Sequence, residues 1–400
     1  MVIIFLFIMM AVNAMAENTK GIFIPSFKTD FNIDNTGISI VLFIGSLAYI
    51  LFSYIGGVLC EKIGQKKVII IGLCCMFFSL LLISVVNSYT SFIINMFVMN
   101  VGLALTSIAV NTLVPVLLLS YQAILMNIIH FCYGVGGAAG QAIGGVLMSN
   151  GFTWRNIYLG IAILFVFLLL SFIFIKMPNT HKYSEGNKIK KMEVLKNKVI
   201  YFYVFALGFY VFAEIATLSW LVNYIKDNYK YNSSKSAFYS VMFLVIFSIG
   251  RLIGGFIVEN LGYLKTTMVS LIIAVCLFTL GLVIGEKGLI IISVSGFFFA
   301  ITFPTLVLTI SKVFKQNTAY ITGVIVTLTS CVNMFLNLLI GRLNDEIGTY
   351  LAFYMIPIGL IISIIFIYLI YINTKNNFTV DSGVNNEQGQ ICEFRSFKRK

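Results

Sequence analysis

Long apolar runs separated by short polar segments occupy most of this 400-residue chain. A helix needs about 20 consecutive apolar residues to cross the hydrocarbon core of a bilayer, and each run reaches that length. The runs lie at about 2–26, 37–60, 68–87, 91–119, 123–148, 154–176, 199–225, 236–258, 265–285, 289–311, 319–341 and 349–373. The pattern predicts an all-α membrane protein with twelve transmembrane helices.

The composition supports a membrane protein and argues against a soluble one. Hydrophobic residues make up 59% of the chain and charged residues only 10%, whereas about 25% of residues are charged in an ordinary soluble domain. The net charge of +12 comes from short loops and the C-terminus, as expected for topological bias and attraction to anionic lipid. We therefore expect the lipid bilayer, and no nucleic acid, as a partner.

A polar stretch in the middle of the chain divides the runs into two sets of six. We predict an N-terminal six-helix bundle at 1–176, a cytoplasmic central loop at 177–198, a C-terminal six-helix bundle at 199–373 and a disordered cytoplasmic tail at 374–400. Lys and Arg are concentrated on the side of this loop, which predicts a plasma-membrane protein with both termini in the cytoplasm. The first run lacks the preceding basic segment of a signal peptide, so we interpret it as a membrane span.

The two sets of six runs share an internal repeat. The segment Gly57, Glu61, Gly64 and Lys67 recurs 198 residues later as Gly255, Glu259, Gly262 and Lys265. At an offset of 197, Glu17, Gly144 and Gly151 recur as Glu214, Gly341 and Gly348. The repeat indicates two related six-helix halves, and such parallel repeats are typical of transporters.

Glu17 and Glu214 are the two carboxylates placed well inside predicted spans, at equivalent positions in the two halves. An ionised carboxylate at that depth is costly, so it must be paired or take up a proton. A carboxylate that gains and loses access to water can bind and release a proton, so both residues are candidates for proton coupling. For Glu17, the alternative is a local ion pair with Lys20, three residues along the same helix.

Arg251 and His130 also lie within predicted spans. The Arg251 guanidinium stays charged and requires an anionic or carbonyl partner, so it could bind substrate or hold Glu214 through water. The alternative is a structural anchor between helices. A histidine ordinarily titrates near neutral pH, so His130 is a candidate for proton or substrate contact. The alternative for His130 is a hydrogen-bonded structural role.

Amide and aromatic side chains near these charges are candidates for substrate contact. Trp220, Asn223 and Tyr224 share the seventh span with Glu214, and Asn111 and Asn127 lie on the fourth and fifth spans. Amides can hydrogen-bond the polar groups of a small substrate, and aromatic rings can cover its apolar faces. An alternative for Trp220 is a position in the aromatic belt at the membrane interface.

Glu61 and Glu259 end the second and eighth spans, where a carboxylate opposes the helix dipole. Each therefore needs a favourable partner that offsets this cost. One alternative is ordinary pairing with Lys62, Lys66 or Lys265.

The segment Gly57-x-Leu59-x-Glu61-Lys62-x-Gly64-x-Lys66-Lys67 resembles the signature loop of the major facilitator superfamily, and Trp154-Arg155 is also typical of it. The resemblance covers the chain to about residue 373. It implies a central cavity between the halves and a gating role for Gly57, Glu61, Lys62, Gly64, Lys66, Glu259 and Gly262. It also implies that Glu61 and Glu259 meet the starts of the eleventh and fifth helices.

A narrower resemblance is to the fucose–galactose–glucose:proton symporter branch. It rests on Asn127-x-x-His130-x-x-Tyr133-Gly134, Ala213-Glu214, Ser219-Trp220-Leu221, Gly250-Arg251 and Phe303-Pro304-Thr305. The branch often has an acidic residue where this chain has Ser107. The resemblance implies proton-coupled uptake of a sugar or related metabolite by a monomer, without a cofactor. The alternative is a proton-coupled exporter of drugs or metabolites, although Gly137 is followed by Ala138 rather than the proline common in exporters.

Other functional classes find no support in the sequence. It has none of the zinc-protease, intramembrane-aspartate, nucleophile or Walker motifs, which argues against an enzyme or an ATP-driven pump. The cysteines show no C-x-x-C spacing, so we expect neither a metal site nor a disulfide framework. A channel or receptor is the remaining alternative, but a two-half repeat favours alternating access around a central site.

Overall fold

The computed structural model describes residues 2–33, 35–117, 120–175, 196–231 and 233–384, all of them helical or in short connections. In the N-terminal half the helices are α1 (Val2–Phe31), α2 (Asn35–Ile63), α3 (Gln65–Val85), α4 (Tyr89–Leu117), α5 (Gln122–Ser149) and α6 (Trp154–Phe174). In the C-terminal half they are α7 (Lys198–Tyr229), α8 (Ser233–Leu261), α9 (Tyr263–Ile284), α10 (Leu289–Phe299), α11 (Thr302–Val313), α12 (Thr318–Ile347), α13 (Thr349–Ala352) and α14 (Met355–Val384).

Eleven stretches of the described residues are long and apolar enough to cross a membrane. One of them, Tyr263–Val313, has 51 residues and would extend about 77 Å as one helix, well beyond a bilayer core of about 30 Å. A 3₁₀ turn at Gly285–Gly288 folds it back on itself. A Cβ added to Gly281 would lie 2.8 Å from the Gly288 carbonyl oxygen. The described residues therefore form twelve spans, as predicted.

Several helices extend beyond the apolar runs that predict them. The last helix continues to Val384, whereas the sequence predicts its end at 373 and disorder from 374. A helix already formed in the membrane is readily extended by polar residues at its end, because propagation costs much less than nucleation. The predicted central loop at 177–198 lies mostly outside the described residues.

The tenth span is broken in the middle, between α10 and α11. Pro304 has no backbone N–H and leaves the carbonyl of Ala300 without its helical donor. The neighbouring Phe299 carbonyl accepts a hydrogen bond from the Tyr210 hydroxyl at 2.9 Å. This bond ties the broken segment to α7.

The repeat is visible in the backbone as well as in the sequence. Nine described residues have positive φ angles, and eight of them form four pairs, one member in each half. The pairs are Asn32 and Lys230, Gly64 and Gly262, Tyr121 and Asn317, and Gly151 and Gly348, with φ angles between 49° and 90°. Both halves therefore turn their chains at equivalent places.

The two halves pack together along α2 with α12 and along α5 with α8. We call the membrane face that carries the α2–α3, α4–α5, α8–α9 and α11–α12 connections the terminal side. A Cβ on Gly57 would lie 2.7 Å from the Ala319 carbonyl oxygen and 2.9 Å from the Gly323 Cα atom. The Thr327 hydroxyl donates to the Ile50 carbonyl at 3.2 Å. These contacts lie in the parts of α2 and α12 nearer the terminal side, so the halves are closed there.

Candidate functional site

Glu17 lies in the middle of α1, where it forms an ion pair with Lys20. The Lys20 ammonium donates to one Glu17 carboxylate oxygen, and both side chains are about a quarter exposed, at 26% for Lys20 and 25% for Glu17. The other oxygen, Oε2, is buried and has no hydrogen-bond partner among the described residues. The local pair predicted as one alternative is therefore present, and it leaves one oxygen without a donor.

Arg251 connects the equivalent carboxylate of the C-terminal half to the N-terminal half. Its Nη2 atom lies 3.2 Å from Oε1 of Glu214, and its Nη1 donates to the His130 backbone carbonyl at 3.2 Å. The guanidinium also lies 4.4 Å from the centre of the Phe247 ring. Arg251 thus holds Glu214 on α7 from α8 and contacts α5 of the other half.

The His130 side chain is packed rather than engaged with the charged pair. Its ring makes an edge contact with Phe303, with centroids 5.3 Å apart. Its Nε2 atom is buried without a hydrogen-bond partner among the described residues. The carbonyl of His130, and not its imidazole, meets Arg251.

Three tyrosines lie near the two carboxylates, and only Tyr133 belongs to a motif quoted from the sequence, whereas Tyr49 and Tyr210 were not predicted. Tyr133 lies within electrostatic range of both Glu17 and Arg251, and Tyr210 lies beside Glu214. The Tyr49 hydroxyl bonds the Ser107 hydroxyl at 3.3 Å. With 15% aromatic residues in the chain, no spacing distinguishes these tyrosines from those that pack against lipid.

Asn111 and Asn127 are buried on α4 and α5, and each has a side-chain oxygen without a partner among the described residues. The Asn127 amide nitrogen donates to the Ala123 carbonyl at 2.9 Å. A Cβ on Gly255 would come within 3.1 Å of the Asn127 Cβ. Asn127 therefore lies at the boundary between the halves, with a free acceptor oxygen.

The structure does not place the substrate-contact candidates of α7 (Trp220, Asn223 and Tyr224) together beside the Glu214–Arg251 ion pair. Tyr224 is buried, stacks on Phe353 at 4.3 Å and pairs its hydroxyl with that of Tyr229 at 3.1 Å. It is ten residues beyond Glu214, about 15 Å along the helix, and both its ring and its hydroxyl are engaged in packing. Asn223 is exposed. The Trp220 ring lies 3.5 Å from a Cβ placed on Gly341 and so packs against α12.

The first of the two predicted gate carboxylates meets the start of α12, which is the eleventh span. Oε1 of Glu61 accepts hydrogen bonds from the backbone N–H groups of Ala319 at 2.9 Å and Tyr320 at 3.3 Å. The first N–H groups of a helix lack partners inside it and carry its positive dipole end. They offset the cost of a carboxylate at the C-terminal end of α2.

Glu259 makes the equivalent contact with the start of α5. Oε1 accepts from the Tyr121 N–H at 3.0 Å, and Oε2 accepts from the Ala123 N–H at 2.9 Å. The Tyr263 hydroxyl adds a longer bond of 3.4 Å to Oε1. Each carboxylate therefore bonds the start of a helix in the opposite half, and the equivalent residues Ala319 and Ala123 donate in both contacts.

Lys66 bonds backbone carbonyls and not the gate carboxylate with which ordinary pairing would join it. Its ammonium donates to the Ile175 carbonyl at 2.7 Å and the Ile173 carbonyl at 3.3 Å, at the end of α6. A cation there satisfies free carbonyls and complements the helix dipole. Lys62 is exposed.

A further charged cluster joins α1 to α6 on the side opposite the terminal side. Asp30 forms an ion pair with Arg155 and accepts a bond from the Trp154 indole nitrogen at 2.9 Å. Arg155 also donates to the Val86 carbonyl at 3.1 Å. Desolvation raises the pKa of Asp30, but the bonds from Arg155 and Trp154 outweigh it and hold that pKa below its usual value.

Comparisons with known proteins agree with this arrangement. The family model described as Major Facilitator Superfamily matches residues 6–330. A hexuronate transporter of Bacillus subtilis is 22% identical over 390 residues, which cover 90% of this chain and 91% of that protein. A putative glucose/galactose transporter of Helicobacter pylori is 23% identical over 310 residues, covering 72% and 75%.

A solved structure of the transporter FucP in the outward conformation superimposes with a TM-score of 0.79 at 21% identity, covering 92% of this chain and 98% of that one. A proton:xylose symporter, XylE, superimposes with a TM-score of 0.74 at 13% identity, covering 92% and 95%. The fold and the paired halves define a secondary transporter, and the chain belongs to the major facilitator superfamily. Within that family it resembles the fucose–galactose–glucose:proton symporter branch, as the sequence motifs predict.

Proposed function

We propose that this transporter carries a neutral sugar or closely related polyol into the cell together with a proton. The observation that carries the proposal is the arrangement of Glu17 and Glu214. They occupy equivalent places on α1 and α7, and each is paired with a cation. The hydroxyl groups of Tyr49, Tyr133 and Tyr210 lie near them and suit a polyol.

The charges of the site favour a neutral substrate over an acidic one. Glu17 with Lys20, and Glu214 with Arg251, each sum to zero when ionised. An anionic sugar would add an uncompensated charge at the middle of the membrane, which is costly. The resemblance to a hexuronate transporter makes an acidic sugar the second candidate, with Arg251 as the cation for its carboxylate.

We infer that the closed terminal side faces the cytoplasm and that substrate enters from the other side. The excess of Lys and Arg on the terminal side supports this orientation. A membrane-impermeant maleimide tests it in intact cells with single cysteines on a background lacking native cysteines. Asn150→Cys should react from outside and Gln316→Cys should not, and the reverse pattern would overturn the orientation.

Transport by purified protein in proteoliposomes tests the function. A panel of neutral hexoses, hexuronates and hydrophobic drugs is presented with and without an imposed pH gradient. We expect saturable uptake of a neutral hexose that accumulates only when the outside is acidic. Uptake limited to hexuronates would favour the second candidate, and drug extrusion would identify an exporter instead.

A further inference from the structure

An apolar groove of about 300 Å³ lies on the outer surface of the C-terminal half, between α8, α9 and the tenth span. We call it the α8–α10 groove. Its lining includes Gly254, Leu261, Lys265, Val269, Phe298 and Ile301. None of these residues belongs to the candidate site between the halves.

The groove faces the lipid and not the interior of the protein. Leu261 on its wall is 70% exposed and Val269 is 57% exposed, and both lie on helices that span the membrane. Its floor is closed by Gly254 and Ile301, because a Cβ on Gly254 would come within 1.9 Å of the Ile301 side chain. An open apolar groove at this place is filled by hydrocarbon.

The two repeats differ in how the helix lining this groove contacts its neighbour. In the N-terminal half, Gly72 packs against Gly102, and a Cβ on Gly72 would lie 3.1 Å from the Gly102 carbonyl oxygen. The equivalent of Gly72 is Ser270, at an offset of 198. Its hydroxyl donates to the Phe298 carbonyl at 2.8 Å, so a side chain separates the two helices.

The end of the groove at the terminal side is positively charged. Lys265 lies there in the first turn of α9, a helix without a side-chain cap at Gly262. A second cation, Lys312, lies 4.7 Å from the neighbouring Tyr263 ring. The carboxylate nearest in sequence, Glu259, is engaged with the start of α5. The groove thus has an apolar part wide enough for a hydrocarbon chain, and its end at the depth of the lipid headgroups carries positive charge.

We propose that the α8–α10 groove binds an anionic diacyl phospholipid, with one acyl chain along the groove and the phosphate at Lys265. The chain would contact Phe297, Phe298 and Ile301, which flank the break in the tenth span. It would also lie along α8, whose inner face carries Arg251 and whose end carries Glu259. A bound lipid would therefore stabilise α8, whose Glu259 bonds the start of α5 and helps to hold the terminal side closed.

Native mass spectrometry of the purified full-length protein in detergent tests the proposal. Phosphatidylglycerol and phosphatidylcholine with identical chains are titrated separately. We expect one phosphatidylglycerol to bind more tightly than phosphatidylcholine. Lys265→Ala should weaken phosphatidylglycerol about fivefold, the factor that corresponds to about 1 kcal/mol per lysine near an anionic headgroup. Val269→Trp should fill the groove and weaken both lipids.

The repeat supplies matched controls. Lys67 and Ile71 occupy the positions equivalent to Lys265 and Val269, and both are solvent- or lipid-exposed. Lys67→Ala and Ile71→Trp should leave the tight lipid unchanged. Equal weakening by Lys67→Ala and Lys265→Ala would overturn the proposal in favour of general surface charge. Displacement of the lipid by glycerol phosphate at matched concentration would overturn it in favour of a phosphate site.

Discussion

The Glu61 carboxylate accepts a hydrogen bond of 2.9 Å from the backbone N–H of Ala319, across the boundary between the two halves. The two residues are 258 positions apart and share no element of secondary structure. A carboxylate at the end of α2 is unfavourable without such a partner. Because the bond joins the halves, it stabilises the state closed at the terminal side and is lost when that side opens.

Glu61→Gln should therefore shift the protein towards the open state while leaving substrate binding intact. The amide keeps an acceptor oxygen but loses the charge, which is worth about 1 kcal/mol at a helix N-terminus and corresponds to about a fivefold change in population. Spin labels on cysteines placed at Lys62 and Gln316 measure the separation of the halves. Glu346→Gln, an exposed acid on α12, serves as the control. Identical distance distributions for Glu61→Gln and the native protein would contradict a gating role.

Gly57→Val should disturb the same closed state through packing. A Cβ at this position would lie 2.7 Å from the Ala319 carbonyl oxygen and 2.9 Å from the Gly323 Cα, so α2 and α12 must separate. Overpacking of this kind typically costs about 1–3 kcal/mol. The same pair of spin labels should move apart, and transport should slow.

Gly56→Ala provides the comparison for Gly57→Val. Its Cβ would meet only side chains of the same half, Leu105 at 3.2 Å and Ile108 at 3.7 Å. We expect this variant to keep the native distance distribution. If both variants open the terminal side equally, a loss of helix flexibility and not the contact between halves is responsible.

Glu214→Gln should separate exchange from accumulation if Glu214 carries the coupled proton. The variant mimics the protonated residue, so substrate should still exchange across the membrane, since exchange requires no net proton movement. Accumulation driven by a pH gradient should be lost. Counterflow and proton-driven uptake are measured side by side in vesicles, with Glu17→Gln as the equivalent change in the other half. A Glu214→Gln protein that still concentrates substrate would leave Glu17 as the next candidate.

Asp30 should make the stability of the fold depend on pH in the acidic range. It lies beyond the apolar stretch that ends at Ile24, and Arg155 and Trp154 hold its pKa below the usual 3.8. A depressed pKa stabilises the folded state above the unfolded value and loses that effect as the pH falls through the folded value. We expect Asp30→Asn to lower stability by about 1 kcal/mol at pH 7, after discounting for partial exposure.

Thermal unfolding in detergent from pH 7 down to about 3 measures this effect. The difference between Asp30→Asn and the native protein should be constant near neutrality and shrink below pH 3.8, the unfolded value. Asp227→Asn, which removes an exposed acid near the end of the equivalent helix α7, is the control for the substitution itself. A difference that does not change with pH would exclude the ionised Asp30 as its source.

Sequence reasoning succeeds where one residue determines the local physics. A carboxylate at a helix C-terminus requires donors, and Glu61 and Glu259 have them. The twelve spans follow from the length of the apolar runs alone.

Sequence reasoning does not identify the hydrogen-bond partner of a side chain when that partner is a backbone atom. It also does not identify the inward face of a helix that is apolar on every side. The carbonyls of His130 and Ile175 accept bonds from Arg251 and Lys66, but a carbonyl carries no residue identity that a pattern can reveal. Tyr224 shows the second limit. Its helix is apolar towards both lipid and protein, so spacing along α7 does not distinguish a cavity-facing ring from a packed one.

The paired left-handed turns have a consequence for the history of the chain. Tyr121 and Asn317 precede the two helices that receive the gate carboxylates, with φ angles of 61° and 53°. Their side chains have nothing in common, and a left-handed conformation is disfavoured for a bulky residue such as tyrosine. The backbone conformation at this position is thus the same in both halves although the residues differ. The two halves are best understood as copies of one ancestral segment in which shape was inherited more faithfully than sequence.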